Sequence, residues 1–235
     1  MLVPADLHIH SCLSPCADDD MTPFNLVNMA ALAGIKILAV TDHNCAKNLP
    51  ACKAAADAAG VALLPGIEAT TREEAHILCY FPDVDAALAF GESLRGRLGS
   101  APNVPRLFGN QIIMDENDGV IGHEDRLLIQ ATSLSVDAMA ALCVDHGGMP
   151  VPAHINRGSS GLLNALGFLP GTRFAAVEVC RDLPITASLG GYNELHSSDA
   201  HRLEALAGPA QHLELDEVSA ESAFNMLSRW YQERA

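Results

Sequence analysis

The stretch Asp6-Leu7-His8-Ile9-His10 decides the predicted fold, together with Ser197-Ser198-Asp199-Ala200-His201 near the other end of the chain. Each stretch places two metal-binding side chains at positions i and i+2. Residues at i and i+2 of a β-strand point to the same face, so each pair converges on one point. Imidazole and carboxylate groups bind zinc, manganese and iron. The two ends of the chain are therefore predicted to meet at one metal site.

The 235-residue length suits one α/β barrel. We therefore expect a single domain over residues 1–235. Strand and helix patterns alternate along most of the chain, which favours a parallel sheet. The pattern weakens over residues 99–132, which begin with a stretch rich in Gly, Pro and Asn and continue with many charged residues. This change in composition predicts that the segment is an insertion or a lid over the site.

Polar residues that bind metals lie at or just past the ends of five predicted strands: His10, His43, Glu68, His154 and Asp199. The carboxyl ends of the strands carry the chemistry in a parallel α/β barrel. An open, doubly wound sheet also binds ligands at that edge, but it gathers groups from a few strands near one switch point. Contributions from five strands favour a closed barrel.

The net charge of −15 weighs against a partner that is a long nucleic acid, because like charges repel. The apolar runs are too short to span a membrane. No secretory leader precedes Asp6, so we expect a cytoplasmic protein. The seven cysteines are an odd number, which favours reduced thiols. Cys12 and Cys16 have no second pair at finger spacing, which argues against a zinc–cysteine site.

Six short motifs in this order resemble the PHP (polymerase and histidinol phosphatase) superfamily. They are Asp-Leu-His-Ile-His-Ser at 6–11, Thr-Asp-His-Asn at 41–44, Gly-Ile-Glu at 66–68, His76, Pro-Ala-His at 152–154 and Ser-Asp-Ala-His at 198–201. The chain looks most similar to the small stand-alone PHP phosphoesterases. The resemblance implies a distorted seven-stranded (β/α) barrel, similar to a TIM barrel. It also implies two or three divalent metal ions at the carboxyl ends of the strands.

The resemblance assigns the first metal to four ligands: His8, His10, Glu68 and Asp199. It makes Glu68 a bridge to the second metal, which is completed by His76 and His154. It assigns the third metal to His43, His201 and an acidic residue after the first strand. Counting back from Thr22-Pro23 selects Asp18, but the loop is longer than usual and leaves Asp19 open.

Phosphoester chemistry is consistent with this ligand set. Nine candidate ligands are too many for one ion and fit two or three. Two metal ions about 3.5–4 Å apart can bind both the attacking and the leaving oxygen at phosphorus, and bound water is deprotonated near neutral pH. We expect Glu68, His43 and Arg157 to be the catalytic groups.

Arginine suits bidentate phosphate contact, so Arg157 and Arg181 are the predicted substrate-binding residues. A surface salt bridge is the alternative for Arg157, and pairing with Asp182 is the alternative for Arg181. Asp6 and Asp42 are expected to orient ligand imidazoles. For Asp6, a capping carboxylate is an equal alternative.

The predicted function is metal-dependent hydrolysis of a phosphomonoester by a metal-activated hydroxide. The substrate is a phosphorylated small metabolite, a nucleotide or a short oligonucleotide end, and the metal is zinc, manganese or iron. One alternative is an amidohydrolase-type barrel that cleaves C–N or C–O bonds. That class usually needs a carboxylated lysine, and no lysine here has ligand spacing at a strand end. The other alternative is a non-catalytic, metal-stabilised PHP module, which the intact ligand set argues against.

Overall fold

Apolar runs form the strands, and amphipathic segments between them form the helices. The computed structural model describes residues 1–185 and 187–234. Its strands are β1 (Leu2–Ile9), β2 (Ile37–Val40), β3 (Ala62–Thr70), β4 (His76–Tyr80), β5 (Ile112–Met114), β6 (Val120–His123), β7 (Met149–Pro152), β8 (Val177–Glu178), β9 (Glu194–Leu195) and β10 (Gln211–Glu214). Its helices are α1 (Pro23–Leu32), α2 (Leu49–Ala59), α3 (Val84–Arg95), α4 (Pro105–Phe108), α5 (Val136–Asp145), α6 (Leu162–Leu166) and α7 (Ala220–Gln232).

The helix boundaries follow from local capping chemistry. The side chain of Thr22 accepts a hydrogen bond from the Asn25 backbone N–H at the start of α1, and Pro23 occupies the first helical position. Gly60 ends α2 with a φ of 68°, in the left-handed region that glycine adopts at low cost. Both helix boundaries thus coincide with capping signals that are visible in the sequence. No helix in the described residues has the length and apolar character needed to cross a membrane.

Six strands form one curled sheet in the order β10-β1-β2-β3-β4-β7. Strands β1, β2 and β3 are parallel, whereas β4 is antiparallel to both β3 and β7. The prediction of a parallel sheet is therefore wrong at β4, and also at β10, which is antiparallel to β1. The reason at β4 is that residues 71–75 are too few for a crossover helix, so β3 and β4 form a hairpin. This reversal brings the first residue of β4, His76, beside Thr70 near the end of β3.

The sheet is a half-barrel, and the short parallel pair β8–β9 lies beyond its β7 edge. Single backbone hydrogen bonds connect the two parts: Ala175 N–H donates to Pro150 O at 2.9 Å, and Ile155 N–H donates to Glu178 O at 2.9 Å. At the other edge, His10 N–H donates to Ala200 O at 2.9 Å. The predicted seven-stranded barrel is thus found in part, because β8 and β9 are two residues each and form no continuous ladder with β7 or β1.

Strand β1 shows how the sheet separates its core from its site. Val3, Ala5 and Leu7 are buried in one apolar cluster with Leu227 of α7. The intervening residues, such as Asp6 and His8, point the other way because side chains alternate along a strand, and they are also fully buried. Buried polar side chains such as these need hydrogen-bond or charge partners. Polar residues at the ends of neighbouring strands supply those partners.

The predicted insertion, residues 99–132, contains α4 and the β5–β6 hairpin. Two buried asparagines bind its backbone. Asn48 donates to Ile112 O at 3.1 Å and accepts from the Met114 N–H at 3.0 Å. Asn44 donates to Leu128 O at 2.7 Å. The segment is therefore held against the loop that follows β2 and the start of α2. That this segment acts as a lid stays a prediction. That the chain forms a single domain also stays a prediction.

A buried carboxylate also holds the insertion. Glu124 is 5% exposed, and its Oε2 accepts hydrogen bonds from Lys47 and from Arg95 Nη1, the latter at 3.2 Å. Burial opposes its ionisation, but these contacts lower the pKa of Glu124.

We expect Glu124→Gln to lower the free energy of unfolding by about 1.5–3 kcal/mol, because hydrogen bonds to charged groups contribute about that much. This contribution is present above the ordinary carboxyl pKa and disappears as the pH falls through the lowered pKa of the folded state. Urea unfolding at pH 7 and at pH 3.5 measures it, with the exposed Glu92 of α3 changed to Gln as the control. Equal destabilisation by both variants would contradict the prediction.

Candidate metal centre

Glu68, near the end of β3, lies at the centre of a group of imidazoles and is 1% exposed. Its Oε2 faces three of them: His43 Nδ1 at 3.1 Å, His10 Nε2 at 3.3 Å and His8 Nε2 at 3.4 Å. Its Oε1 faces two others: His76 Nδ1 at 2.8 Å and His154 Nε2 at 3.1 Å. A carboxylate whose two oxygens face separate sets of nitrogen donors has the arrangement of a ligand shared by two cations.

Asp199 completes one of these sets. Its Oδ1 lies 3.2 Å from both His8 Nε2 and His10 Nε2, and these two nitrogens are 3.2 Å apart. Oδ1 is buried, yet it accepts no hydrogen bond within the described chain. A tetrahedral ion with bonds of about 2.0–2.1 Å places its ligands about 3.3 Å apart. The four groups His8, His10, Glu68 and Asp199 therefore fit one divalent ion, and Glu68, His76 and His154 offer donors for a second.

A third group of donors consists of His10, His43 and His201, whose ligand atoms lie within 4.8 Å of one another. Asp18 does not join this group in the described structure. Its backbone N–H donates to His201 O at 3.0 Å, but its carboxylate is half exposed and lies 3.5 Å from Arg202 Nε. The alternative, Asp19, accepts a hydrogen bond from Asn110 at 2.6 Å. Both carboxylates thus have other partners in the loop, and a third metal stays a prediction.

Asp42 orients His10 through a serine that the sequence reasoning missed. His10 Nδ1 lies 2.9 Å from Ser14 Oγ, and this hydroxyl donates to Asp42 Oδ1 at 2.6 Å. Because the hydroxyl gives its proton to Asp42, it accepts from His10 Nδ1–H, which leaves Nε2 free to bind a cation. Ser14 lies four residues after His10 in the loop, and its spacing alone carries no signal.

Asp6 binds backbone groups, as the capping alternative for this residue predicts. Its Oδ1 accepts the backbone N–H groups of His8 at 3.4 Å and of Ser198 at 3.1 Å. No ligand imidazole donates to its side chain among the described residues, so its contacts fit the capping alternative and not the orientation of an imidazole. It instead joins the backbones of the two metal-binding stretches. Burial raises the pKa of Asp6 to about 6.

Glu178, the last residue of β8, is the second residue that sequence reasoning missed. It is 3% exposed, and its Oε2 lies 3.0 Å from His8 Nδ1 and accepts the His154 backbone N–H at 2.8 Å. A signal was available: Glu178 is the one charged residue in the apolar run 174–179, and a buried charge needs a partner.

The pKa values of the cluster reflect opposing effects. Burial opposes the charged form of His10, but hydrogen bonds and charge from Asp199 and Glu68 raise its pKa to about 9. Burial also opposes ionisation of Glu68, but His76, His8 and His43 hold its pKa well below the usual range. His43 has its pKa lowered well below normal, chiefly by burial. Glu68 is thus ionised and His43 neutral, the forms that bind metal ions, whereas His10 holds a proton that metal binding would release.

Three non-glycine residues at the cluster have backbones in the left-handed region. They are His154, with a φ of 27°, Asp199, with a φ of 53°, and Asn44, beside His43, with a φ of 51°. Such conformations cost free energy and persist where surrounding contacts impose them. Because these residues are candidate ligands or lie beside one, the unusual backbone conformations indicate that the chain is held so that the ligand side chains face the cluster.

Arg157, three residues after His154, donates to Asp199 Oδ2 and is partly exposed. It also lines an open cavity of about 420 Å³ beside the cluster, with Arg181, His196 and Ser197 among the other lining residues. The structure thus brings Arg157 to the donor cluster and places Arg181 in the wall of the adjoining cavity.

Comparisons with known proteins match parts of this chain. The family model described as the PHP domain matches residues 6–93. A 3',5'-nucleoside bisphosphate phosphatase of Chromobacterium violaceum is 38% identical over 102 residues, which are 41% of this chain and 35% of that protein. A 5'-3' exoribonuclease of Haemophilus influenzae is 26% identical over 150 residues, 57% of this chain and 54% of that protein. The chain thus matches about a third to a half of the length of these relatives.

Solved structures share the fold over almost the whole chain. A lesion-specific endonuclease from Pyrococcus furiosus has a TM-score of 0.68 at 17% identity, covering 96% of this chain and 55% of that one. A structure described as a metal-dependent phosphoesterase from Bifidobacterium adolescentis has a TM-score of 0.56 at 18% identity. It covers 97% of this chain and 96% of that one. Such low identities show the fold alone. The family-model match over residues 6–93 agrees with the resemblance that the motifs in that part of the chain indicate.

Proposed function

We propose that this protein is an enzyme, a metal-dependent phosphoesterase that hydrolyses a phosphomonoester of a nucleotide or of a similar small molecule. The observation that carries the proposal is the arrangement of Glu68. One of its oxygens faces His8, His10 and His43, and the other faces His76 and His154. A shared carboxylate suits two neighbouring divalent ions, and paired ions are typical of enzymes that cleave phosphate esters.

The residues of the chain have separate tasks in this proposal. His8, His10, Glu68 and Asp199 would hold one ion, and Glu68, His76 and His154 would hold another. When bound, divalent ions activate water and stabilise negative charge at phosphorus. Ser14 and Asp42 keep His10 in the form whose Nε2 binds a cation. Zinc, manganese and iron all suit these ligands.

Arg157 is the proposed phosphate-binding residue of the chain. Its guanidinium already contacts the carboxylate of Asp199, and its partial exposure leaves donor groups for a substrate oxygen. The cavity beyond it, with Arg181 in its wall, would bind the rest of the substrate. One relative is named as a nucleoside bisphosphate phosphatase and the other as an exoribonuclease, which supports a substrate built from nucleotides. The net charge of −15 favours a short substrate over a long nucleic acid.

A substrate panel tests the proposal. Protein freed of metal by a chelator is reloaded with Mn²⁺, Zn²⁺ or Fe²⁺. It is then assayed on a nucleoside 3',5'-bisphosphate, a nucleoside 5'-monophosphate, a 5'-phosphorylated trinucleotide, an amide and a lactone. We expect release of inorganic phosphate or nucleotide with at least one metal, and no cleavage of the amide or the lactone. Cleavage of those two alone would favour an amidohydrolase, and inertness with metal bound would favour a non-catalytic module.

Arg157→Ala gives the matching residue test. We expect kcat/KM on the best phosphate substrate to fall about 10–100-fold, because a charge-assisted hydrogen bond contributes about 1.5–3 kcal/mol. Metal content by elemental analysis should stay that of the parent protein. The control is Arg229→Ala, an exposed arginine of α7. Loss of metal in the Arg157 variant would show that this arginine supports Asp199 rather than the substrate.

A further inference from the structure

We infer that Glu178 is a positioning residue that orients both the ring of His8 and the backbone of His154, and so sets the spacing of the two ion sites that share Glu68. The inference rests on the metal site of the proposed function. It concerns a residue that contacts neither the carboxylate of Glu68 nor that of Asp199 among the contacts of the described residues, and that acts through the ligands.

The first contact determines the form of the His8 imidazole. Both oxygens of Glu178 lie close to His8 Nδ1, Oε1 at 3.2 Å and Oε2 at 3.0 Å. An ionised carboxylate only accepts hydrogen bonds, so Nδ1 must carry the proton. In the neutral ring, Nε2 then presents its lone pair, and this atom lies 3.2 Å from Asp199 Oδ1 and 3.4 Å from Glu68 Oε2. The tautomer imposed by Glu178 is thus the one that binds an ion at this point.

The second contact reaches the other ion site. Glu178 Oε2 accepts the backbone N–H of His154 at 2.8 Å, and the ring of His154 faces Glu68 Oε1 at 3.1 Å. His154 has a φ of 27°, a conformation that needs support from its surroundings. Its Nδ1 is buried without a hydrogen-bond partner among the described residues. The contact from Glu178 therefore fixes the backbone N–H of this ligand, while the His154 carbonyl accepts the Arg157 N–H at 2.8 Å.

Glu178 differs in kind from the partner of the neighbouring ligand. His10 Nδ1 meets a neutral hydroxyl, that of Ser14, whereas His8 Nδ1 meets a carboxylate. A carboxylate partner raises the basicity of a ligand imidazole, and loss of such a partner typically weakens metal binding about 10–100-fold. Because one carboxylate serves both His8 and His154, its loss should weaken both ion sites.

The test is the change Glu178→Gln, which keeps the size of the side chain and removes its charge. Metal-free protein is titrated with Mn²⁺ and with Zn²⁺ by calorimetry. We expect the Kd of both sites to rise about 10–100-fold, while thermal unfolding of the metal-free variant stays cooperative. The control is Glu194→Gln, an exposed residue of β9 paired beside β8, which should bind metal like the parent. Equal affinities for the Glu178 variant and the parent would overturn the inference.

A second measurement needs no variant, in case Glu178→Gln does not fold. Nitrogen NMR of the Zn²⁺-loaded parent protein, labelled at histidine and assigned with a His8→Gln spectrum, reports which nitrogen of His8 carries the proton. We expect protonated Nδ1 and unprotonated Nε2, and the opposite tautomer would overturn the inference. The outcomes are separable: a parent protein that binds no metal contradicts the proposed function. A parent that binds metal but has the wrong tautomer contradicts only the role of Glu178.

Discussion

Glu68→Gln is expected to lower kcat/KM for phosphate-ester hydrolysis by about a thousandfold or more, which corresponds to about 4 kcal/mol of transition-state stabilisation. Glutamine keeps one acceptor oxygen but replaces the other by an amide group that only donates. The two oxygens of Glu68 face different imidazoles, His8 among the one set and His76 among the other. Whichever way the amide turns, one ion site loses its anionic ligand and gains a donor in its place.

Metal content and kinetics together measure this result. Elemental analysis of Glu68→Gln should find at most one ion per chain where the parent binds two or more. The control is Glu214→Gln, an exposed carboxylate of β10 that should keep full metal content and turnover. A Glu68 variant with the parent's metal content and the parent's kcat/KM would rule out the shared-ligand assignment.

Asp199→Asn is expected to lower kcat/KM by about a hundredfold or more, about 3 kcal/mol, and to remove the ion held by His8 and His10. Asparagine is the informative substitution because Asp199 has a φ of 53°, which asparagine tolerates far better than alanine does. The backbone is therefore preserved, and the loss reports the missing charge. Burial opposes ionisation of Asp199, yet His8 and His10 hold its pKa well below the usual range, so the parent residue is an anion at any working pH.

Mn²⁺ titration of the Asp199 variant should show one binding event fewer than the parent. Asp216→Asn, an exposed carboxylate that follows β10, is the matched control. A supplementary variant, Asp199→Ala, should be worse than Asp199→Asn in stability as well as in activity, because it adds backbone strain. Full turnover in Asp199→Asn would show that the carboxylate is not a ligand.

The parts of the site that follow from strand geometry were predictable from the sequence. The spacing of His8 and His10 requires a shared face once residues 6–10 form a strand. The positions of His43 and Glu68 follow in the same way from the ends of apolar runs. These side chains do meet, with donor atoms 3.1–3.4 Å apart. Local alternation and strand ends are short-range properties, so a sequence carries them directly.

Contacts between distant segments were not predictable in this way. Glu178 meets His8, and Asn48 meets the insertion, through pairings of residues far apart in sequence. The direction of β4 could have been foreseen, since a five-residue connection excludes a crossover helix. Asp18 is a residue whose predicted role came from the resemblance to relatives. It lies in a loop that is longer than usual, and its carboxylate pairs with Arg202.

The hairpin of β3 and β4 has a consequence for the order in which the molecule is assembled. Glu68 and His76 belong to one local unit, and hairpins form within microseconds once their residues are available. The pocket of His8 and Asp199, by contrast, needs both termini and cannot exist until translation has passed residue 201. A chain emerging from the ribosome therefore has half of a cation pocket early and the whole of it last. Capture of the ion assigned to His8 and His10 should accordingly report that folding is complete, and a chain truncated before Asp199 should lack that ion.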